Sequence, residues 1–281
     1  MKLKIIGSSG CVSIPRPCCS CKVCVEARKK GFPYARCGCS LYIEDENILI
    51  DTPEDINYAL NNASVNNVDS ILWSHTDPDH IMGIRLLEQL CMDWLGYSVG
   101  KSNENPVEII SLPEIIEELH ELKTDKGSML DYYKYRGLVQ IIGTGYIEKE
   151  KLTINLIPVG AGKNVAIFVI RQNDKKVIYA PCDVKPFPDN PIFKNADLLI
   201  IGNTIIGDVL KEGFVLKADN PLTKELFVMD EIIELKERYN IPKIIITHLE
   251  EDWGKSYDDY RELEKTFNGI YFAYDGMEIC M

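Results

Sequence analysis

The chain has 281 residues, of which 46% are hydrophobic and 26% are charged. Lys and Arg total 31 against 43 Asp and Glu, and the resulting net charge of −12 disfavours broad binding to nucleic-acid phosphates. No apolar run approaches the roughly 20 residues of a membrane span. The ten cysteines, with no secretory signal at the start of the chain, favour reduced thiols in the cytoplasm.

A cysteine-rich loop lies at residues 15–28. Its spacing Cys19-x-Cys21-x-x-Cys24 is dense enough to wrap one soft metal ion, and we predict a structural zinc. The overlapping Cys18-x-x-Cys21-x-x-Cys24 would also suit part of an iron–sulfur site, but no further cysteine follows at ferredoxin spacing. Candidates for the fourth ligand are Cys37 and Cys39, which follow the loop, and a residue more distant in the sequence.

Strands and helices alternate along the chain and no linker is visible, so we predict one α/β domain over residues 1–281. The predicted strands are Leu3–Ile6, Cys39–Ile43, Asn47–Asp51, Asp69–Trp73, Leu138–Ile142, Leu152–Ile157, Val165–Arg171, Lys176–Tyr179, Asp197–Ile201, Ile244–His248 and Ile270–Ile279. The predicted helices are Glu54–Asn61, Ile84–Leu90, Thr223–Tyr239 and Tyr257–Phe267, and the pattern between 86 and 143 is mostly helical.

The turn after Trp73 carries four potential metal ligands within six residues, namely His75, Asp77, Asp79 and His80. Apolar residues precede it and a helical pattern follows, which predicts a strand, a tight turn and a helix. A polar turn with helix-capping aspartates is the alternative. Two of only four histidines in the chain flank the two aspartates, and this favours metal ligation.

Three other strand ends carry polar residues of the same kind. Asp183 follows one apolar strand and His248 ends another, at the edge of an α/β sheet where ligands gather. Asp51, at the end of a hairpin strand, would orient a ligand histidine or cap its own turn. Carboxylates and histidines at neighbouring strand ends are typical of two-metal hydrolytic sites.

The turn His-x-Asp-x-Asp-His at 75–80, the later strand-end Asp183 and the late Thr247-His248 resemble the metallo-β-lactamase fold superfamily, whose usual turn is His-x-His-x-Asp-His. The resemblance covers nearly the whole chain. It implies an α/β fold, a four-layer αββα sandwich of two facing mixed β-sheets. Residues 15–28 and 273–277 are similar to the branch that contains the cyclic-phosphate phosphodiesterases of phosphonate breakdown.

The resemblance implies a set of site residues. Asp79 and His248 take the catalytic role, Asp51 the supporting role, and the cysteines a structural zinc. The implied ligands of one or two divalent ions are His75, Asp77, Asp79, His80, Asp183 and His248.

The chain departs from the superfamily pattern at three places. Asp77 stands where a histidine is usual, and the turn at 158–162 lacks the histidine found there in the family. The histidine of the structural zinc would fall at Glu251, so Glu250, Glu251 or a cysteine would replace it. A carboxylate in place of an imidazole makes manganese or iron(II) as suitable as zinc at the active site.

The predicted function is hydrolysis of a small phosphodiester, open-chain or cyclic, by a water that the metal ion activates. Lys185 would bind the phosphate, or would be a solvated turn residue. The alternatives are a non-catalytic or sensing protein with a degraded site, and a hydrolase of a carbon ester, lactone or thioester. The net charge and the lack of a basic arm argue against a transfer-RNA nuclease. A homodimer in the cytoplasm is compatible with the composition.

Overall fold

A computed structural model describes residues 1–125, 127–160, 162–217 and 219–281. In this part of the chain the strands are β1 (Lys2–Gly7), β2 (Ser40–Ile43), β3 (Ile48–Ile50), β4 (Ser70–Leu72), β5 (Val107–Ser111), β6 (Lys123–Thr124), β7 (Gly127–Ser128), β8 (Val139–Gly143), β9 (Tyr146–Glu148), β10 (Thr153–Gly160), β11 (Lys163–Gln172), β12 (Lys175–Ala180), β13 (Leu198–Ile201), β14 (Thr204–Ile205), β15 (Phe227–Val228), β16 (Lys243–Ile246), β17 (Ile270–Phe272) and β18 (Glu278–Cys280).

The α-helices of the same residues are mostly short. They are α1 (Lys22–Lys30), α2 (Ile56–Asn62), α3 (Pro78–Ile81), α4 (Leu86–Cys91), α5 (Trp94–Ser98), α6 (Pro113–Leu119), α7 (Met129–Tyr135), α8 (Leu222–Glu225), α9 (Met229–Arg238) and α10 (Tyr257–Glu264). None of the helices in the described residues has both the length and the apolar character that crossing a bilayer requires.

Two large sheets are built on the same plan. The first has the strand order β18-β1-β2-β3-β4-β5-β8 and the second β17-β16-β13-β12-β11-β10-β9. Each sheet joins an antiparallel half to a parallel half. The parallel pairs run from β3 to β8 in the first sheet and from β12 to β17 in the second. The predicted α/β fold with two mixed sheets is confirmed.

The core explains why the sheets face each other. Leu41 and Leu72 of the first sheet share one buried cluster with Phe168, Tyr179 and Ile200 of the second. The outer face of the first sheet is covered by buried side chains of α2, α4, α6 and α7, and that of the second by α9 and α10. Because apolar residues line both faces of each sheet, the layers stack as helix, sheet, sheet, helix.

The predicted helix Thr223–Tyr239 is interrupted in the structure. Leu226 has an extended backbone, and Phe227 and Val228 pair in parallel with Thr204 and Ile205. This long-range pairing provides hydrogen bonds to backbone groups that a continuous helix would have used, so tertiary contact overrides the helical pattern.

The predicted closing strand Ile270–Ile279 is two strands in different sheets. Residues 270–272 pair with β16, and residues 278–280 pair with β1. The turn at Gly276, with φ of 85°, allows the chain to cross between the sheets. The region expected to be mostly helical also contains β5, which lies inside the first sheet.

Candidate metal centre

Parallel strands of both sheets end at one common edge, and five of these strands are followed there by a polar residue of the site. Asp51 follows β3, His75 follows β4, Cys182 follows β12, Asn203 follows β13 and His248 follows β16. Since the carboxyl ends of parallel strands meet at one edge, residues far apart in sequence are brought together.

Several of these residues have an unusual backbone. Asp51, Asp183, Asn203 and His248 adopt left-handed φ angles of 65°, 55°, 52° and 54°. This region is unfavourable for residues with a Cβ, and such conformations persist where the surrounding structure enforces them, often at functional sites. Each of these residues directly ends or follows a strand, so the left-handed turn sets where its side chain points.

Three histidine rings lie together at this edge, and His80 contacts both His75 and His248. His80 Nε2 lies 3.4 Å from His248 Nε2, and the rings of His75 and His80 are 4.2 Å apart. The buried His75 Nε2 has no hydrogen-bond partner among the described residues. A buried ring nitrogen without a partner is costly unless it binds something, which makes it a candidate ligand atom.

The Nδ1 atom of each of the three histidines has a polar partner. His75 Nδ1 lies 2.9 Å from Ser74 Oγ, and His80 Nδ1 lies 2.9 Å from Asp51 Oδ2. His248 Nδ1 lies 3.5 Å from Glu250 Oε1. Partners on Nδ1 fix the tautomer and leave Nε2 free as an acceptor, the arrangement found around metal-bound histidines.

Cys182 and Asp79 complete the group of donors. The donor atoms of His75, His80 and Cys182 lie within 4.8 Å of one another, and so do those of Asp79, His80 and His248. Burial alone would raise the pKa of the Cys182 thiol, but the three surrounding imidazoles lower it well below its usual value. Burial likewise opposes the charge of Asp79, and the hydrogen bond to His248 outweighs it and lowers that pKa. We call these five residues the histidine group.

The histidine group fits a divalent metal ion. It combines imidazole nitrogens, a thiolate and a carboxylate in one buried volume, which are the ligand types of zinc and of other transition metals. Burial alone would lower the pKa of His80, but Asp51 and Cys182 raise it to about 10. The negative charges of Asp51 and Cys182 therefore favour a cation at this position, and a metal ion on Nε2 would take the place of the proton.

Two predicted ligands occupy the rim of the site. Asp77 Oδ2 lies 3.6 Å from His75 Nε2, and its side chain is 57% exposed. It caps α3 without a side-chain hydrogen bond to the turn, so its carboxylate faces His75 instead. Asp183 has a side chain that is 38% exposed and lies 3.4 Å from Lys163 Nζ. Its neighbour Cys182 is the residue whose donor atom lies beside His75 and His80. In the structure, the candidate ligand at this strand end is therefore Cys182, one residue before the predicted Asp183.

The phosphate contact of Lys185 stays a prediction, and in the structure its ammonium contacts protein acceptors. Its ammonium lies 2.8 Å from the carbonyl oxygen of Thr223, 3.0 Å from that of Leu226 and 2.6 Å from the Glu231 carboxylate. The side chain is only 14% exposed. The lysine therefore ties α8 and α9 to the strand end, a role that arises from contacts about 40 residues away in the chain.

The three predicted cysteines meet as expected. The donor atoms of Cys19, Cys21 and Cys24, together with one carboxylate oxygen of Glu251, lie within 4.8 Å of one another. Cys21 caps the start of α1, where it accepts a hydrogen bond from Cys24 N. We call Cys19, Cys21 and Cys24 the cysteine cluster. Cys18 is exposed and lies outside it.

An open cavity of about 880 Å³ leads to the histidine group. Its lining includes Asp77, Cys182 and His248 from the group and its rim, and Arg16 and Lys211 from the side of the cysteine cluster. A cavity of this size accommodates a small molecule.

The fold and the site define an α/β protein whose candidate metal ligands lie at the shared edge of two sheets. The chain belongs to the β-lactamase superfamily, because the family model of the β-lactamase superfamily domain matches residues 46–249. The resemblance found in the sequence is confirmed at the level of the superfamily, and one solved structure of this superfamily is that of a metal-dependent hydrolase. A comparison with curated proteins gives no match.

Solved structures with the same fold include a diphosphatase of the PhnP family. It is 18% identical, with 99% of this chain and 96% of that chain covered and a TM-score of 0.69. Zinc-bound PqqB from Methylobacterium extorquens is 17% identical over the whole of both chains, with a TM-score of 0.71. The short form of human tRNase Z is 14% identical, with 100% and 99% covered and a TM-score of 0.60. At these identities the likeness is one of fold.

Sequence reasoning missed Cys182 and the contact of Glu250 with His248. Both lie within two residues of a predicted ligand. Cysteine is itself a metal-ligand type, and a carboxylate next to a ligand histidine is a common supporting partner. The residue types therefore carried a signal, but spacing alone did not indicate which strand-end side chain turns inward.

Proposed function

We propose that the protein is a metal-dependent phosphoric diester hydrolase that acts on a small, singly charged phosphodiester. The observation that carries the proposal is a pair of donor groups that share His80, one with His75 and Cys182 and one with Asp79 and His248, beside an open cavity. Phosphate-ester chemistry is supported by the diphosphatase of the PhnP family, with which the chain shares its fold.

The proposed ligands of one or two divalent ions are His75, His80, His248, Asp79 and Cys182, with Asp77 as a further ligand at the rim. Cys182 takes the place that the sequence assigned to Asp183. A thiolate and three imidazoles favour zinc or iron(II) over manganese. This donor set revises the preference for harder ions that the carboxylates alone indicated.

A divalent ion at this site would supply Lewis acidity, which lowers the pKa of water toward neutrality and offsets charge on phosphoryl oxygens. The residues of the chain orient the reactants and move protons. Asp79 Oδ2, 3.3 Å from His248 Nε2, is ionised and is placed to accept the proton of the attacking water. Asp51 contacts Nδ1 of His80 and Glu250 contacts Nδ1 of His248, and these contacts fix the orientation of the two rings.

The charges around the cavity limit the substrate. Among the charged residues of its lining, carboxylates outnumber the cations Arg16 and Lys211. The carboxylates are Asp77, Asp183, Glu212, Glu225, Glu250 and Asp252. These groups repel a polyanion such as RNA, whereas a monoanionic diester pays a smaller electrostatic penalty. We assign the phosphate contact to Lys163, which lies beside Asp183 and has a side chain that is 30% exposed.

One observation favours a second candidate, hydrolysis of a carboxylic ester or thioester. A wall of the cavity is apolar and consists of Val12, Leu210, Phe214, Leu222, Leu226 and Trp253. Such a wall suits an acyl chain as well as the organic group of a diester. The two candidates share the metal chemistry and differ in the atom attacked.

The test compares bis(p-nitrophenyl) phosphate with p-nitrophenyl acetate and an acyl thioester, before and after chelation and after zinc is restored. We expect the rate enhancement over the free-metal reaction to be at least about tenfold larger for the diester than for the acetate or the thioester. Chelation should abolish hydrolysis of the diester. Lys163→Ala should raise KM for the diester, while Lys265→Ala, at an exposed lysine that pairs with Glu262 outside the cavity, serves as the matched control. A larger enhancement over the free-metal rate for the acetate or thioester than for the diester, or a rate that chelation leaves unchanged, would overturn the proposal.

A further inference from the structure

The carboxylate of Glu251 is fully buried and points at three thiols. Its Oε2 lies 3.0 Å from Cys21 Sγ, 3.5 Å from Cys24 Sγ and 3.8 Å from Cys19 Sγ. The tetrahedral ligands of a zinc ion, with sulfur at about 2.3 Å and oxygen at about 2.1 Å, lie about 3.6 to 3.8 Å apart. The observed separations are close to this spacing before any ion draws the donors into place.

A buried ion pair alone does not explain this arrangement. Glu251 Oε1 receives both neighbouring cations, with Lys211 Nζ at 2.7 Å and Arg16 Nε at 3.2 Å. Among the residues that the structure describes, the contacts of Oε2 are with thiols, which are weak hydrogen-bond donors and offset little of the cost of burying charge. One oxygen is thus satisfied by protein cations, and the other is directed at a set of metal ligands.

The charges at the cysteine cluster balance when a divalent ion is included. Three thiolates and one carboxylate carry four negative charges, and a divalent ion offsets two of them. Lys211 and Arg16 supply the remaining two positive charges directly at Glu251, while Asp252, which also contacts both cations, is 52% exposed and is screened by solvent. The backbone also favours thiolates, since Arg16 N lies 3.3 Å from Cys24 Sγ and Cys21 N lies 3.5 Å from Cys19 Sγ.

Lys211 connects this site to the catalytic cavity. It lies in the segment 208–216, whose ends are joined by a bridge between Val209 and Val215. Leu210 to Phe214 of this segment line the cavity. Backbone packing holds the same contact, because a Cβ at Gly254 would lie only 3.0 Å from Lys211 Cα. Glu251 follows the ligand His248 by three residues, so one short stretch reaches both sites.

We propose that Glu251 is the fourth ligand of a divalent metal ion held by the cysteine cluster, and that its bond to Lys211 fixes the 208–216 wall of the catalytic cavity. A carboxylate here has a function that an imidazole lacks, because its second oxygen remains free to accept a hydrogen bond from Lys211. The metal site thereby holds the N-terminal loop and the cavity wall against the same residue. This inference does not depend on which ester the protein hydrolyses.

The ligand is tested by cadmium-113 NMR, in which the thiolate-rich cluster and the histidine group give separate resonances. Glu251→Gln should weaken cadmium binding at the cluster by about 100-fold. Glu251→His should restore binding with a shifted resonance, because nitrogen replaces oxygen. Asp252→Asn, a neighbouring carboxylate that also pairs with Lys211 and Arg16, is the matched control and should change neither. An unchanged cluster resonance in either Glu251 variant would overturn the assignment.

The connection to the cavity is tested by hydrogen exchange of the backbone amides at 208–216. Lys211→Met keeps all four metal ligands and removes the bond to Glu251, so exchange in this segment should accelerate at least about tenfold while cadmium stays bound. Glu251→His should accelerate the same amides. Exchange that matches the wild type in the metal-loaded Lys211→Met protein would refute the connection, whatever ester is hydrolysed.

Discussion

Asp51 provides a sharp test of how the histidine group is oriented. The buried carboxylate accepts three hydrogen bonds, from Ser74 N at 2.7 Å, Ser74 Oγ at 2.7 Å and His80 Nδ1 at 2.9 Å. Asp51→Asn replaces one oxygen with an amide group of almost the same shape. If the remaining oxygen keeps Ser74 N, the new N–H groups face His80 Nδ1. His80 must then accept there and carry its proton on Nε2, the atom needed for the metal.

The magnitude follows from those contacts. Loss of a partner behind a metal-bound histidine weakens metal binding by about 10- to 100-fold, or roughly 1.4 to 2.7 kcal/mol. Loss of one buried hydrogen bond to a charged group costs about 1.5 to 3 kcal/mol of unfolding free energy. The first effect is measured by competition with a chelating dye, and the second by urea unfolding of the metal-free protein.

The control is Asp69→Asn. Asp69 is an exposed carboxylate that accepts hydrogen bonds from Asn47 Nδ2 and Asn67 Nδ2, so we expect a change within about 0.5 kcal/mol and unaltered metal binding. Metal affinity of Asp51→Asn within twofold of the wild type would mean that His80 does not bind metal through Nε2, and the reasoning would be refuted.

Three further outcomes are expected. Cys182→Ser should lower metal content and the rate of diester hydrolysis by at least about tenfold, whereas Asp183→Asn should leave metal content unchanged. The reverse result in elemental analysis would restore Asp183 as the ligand. Gly202→Ala should destabilise the fold by about 3 kcal/mol or more in urea unfolding, since its Cβ would overlap the Pro181 carbonyl oxygen, and a neutral effect would contradict that packing. Burial raises the pKa of Asp275 to about 7 from 3.8, so the folded protein binds more protons than the unfolded chain between these values. Stability from this group therefore falls by roughly 4 kcal/mol as pH rises through that window. Asp275→Asn should lack this part of the slope, and identical slopes would disprove the assignment.

Local residue patterns were sufficient for much of the site. The turn at 75–80 concentrates ligand types so densely that His75, Asp79 and His80 could be predicted to converge. The apolar runs before His75 and His248 placed both residues at strand ends, where the structure has them. The three cysteines converge because their spacing leaves the short loop few alternatives.

The missing parts depended on long-range geometry. Successive side chains of β12 point to opposite faces of the sheet, and this alternation ends with the strand at Ala180. Asp183 then adopts a left-handed backbone. The sequence therefore did not indicate whether Cys182 or Asp183 faces the histidines. The choice of Glu251 among the candidate fourth ligands likewise depends on where the segment after His248 meets residues 19–24. The role of Lys185 depends on three acceptors from α8 and its surroundings.

The most direct test of the central claim is a titration of chelated protein with zinc, in which bound metal and the rate of diester hydrolysis are followed together. The cysteine cluster should fill without activity, and the rate should then rise in proportion to occupancy of the histidine group. His80→Ala should retain the first phase and lose the second. A histidine group that is fully occupied and hydrolyses the diester no faster than free zinc would contradict the account.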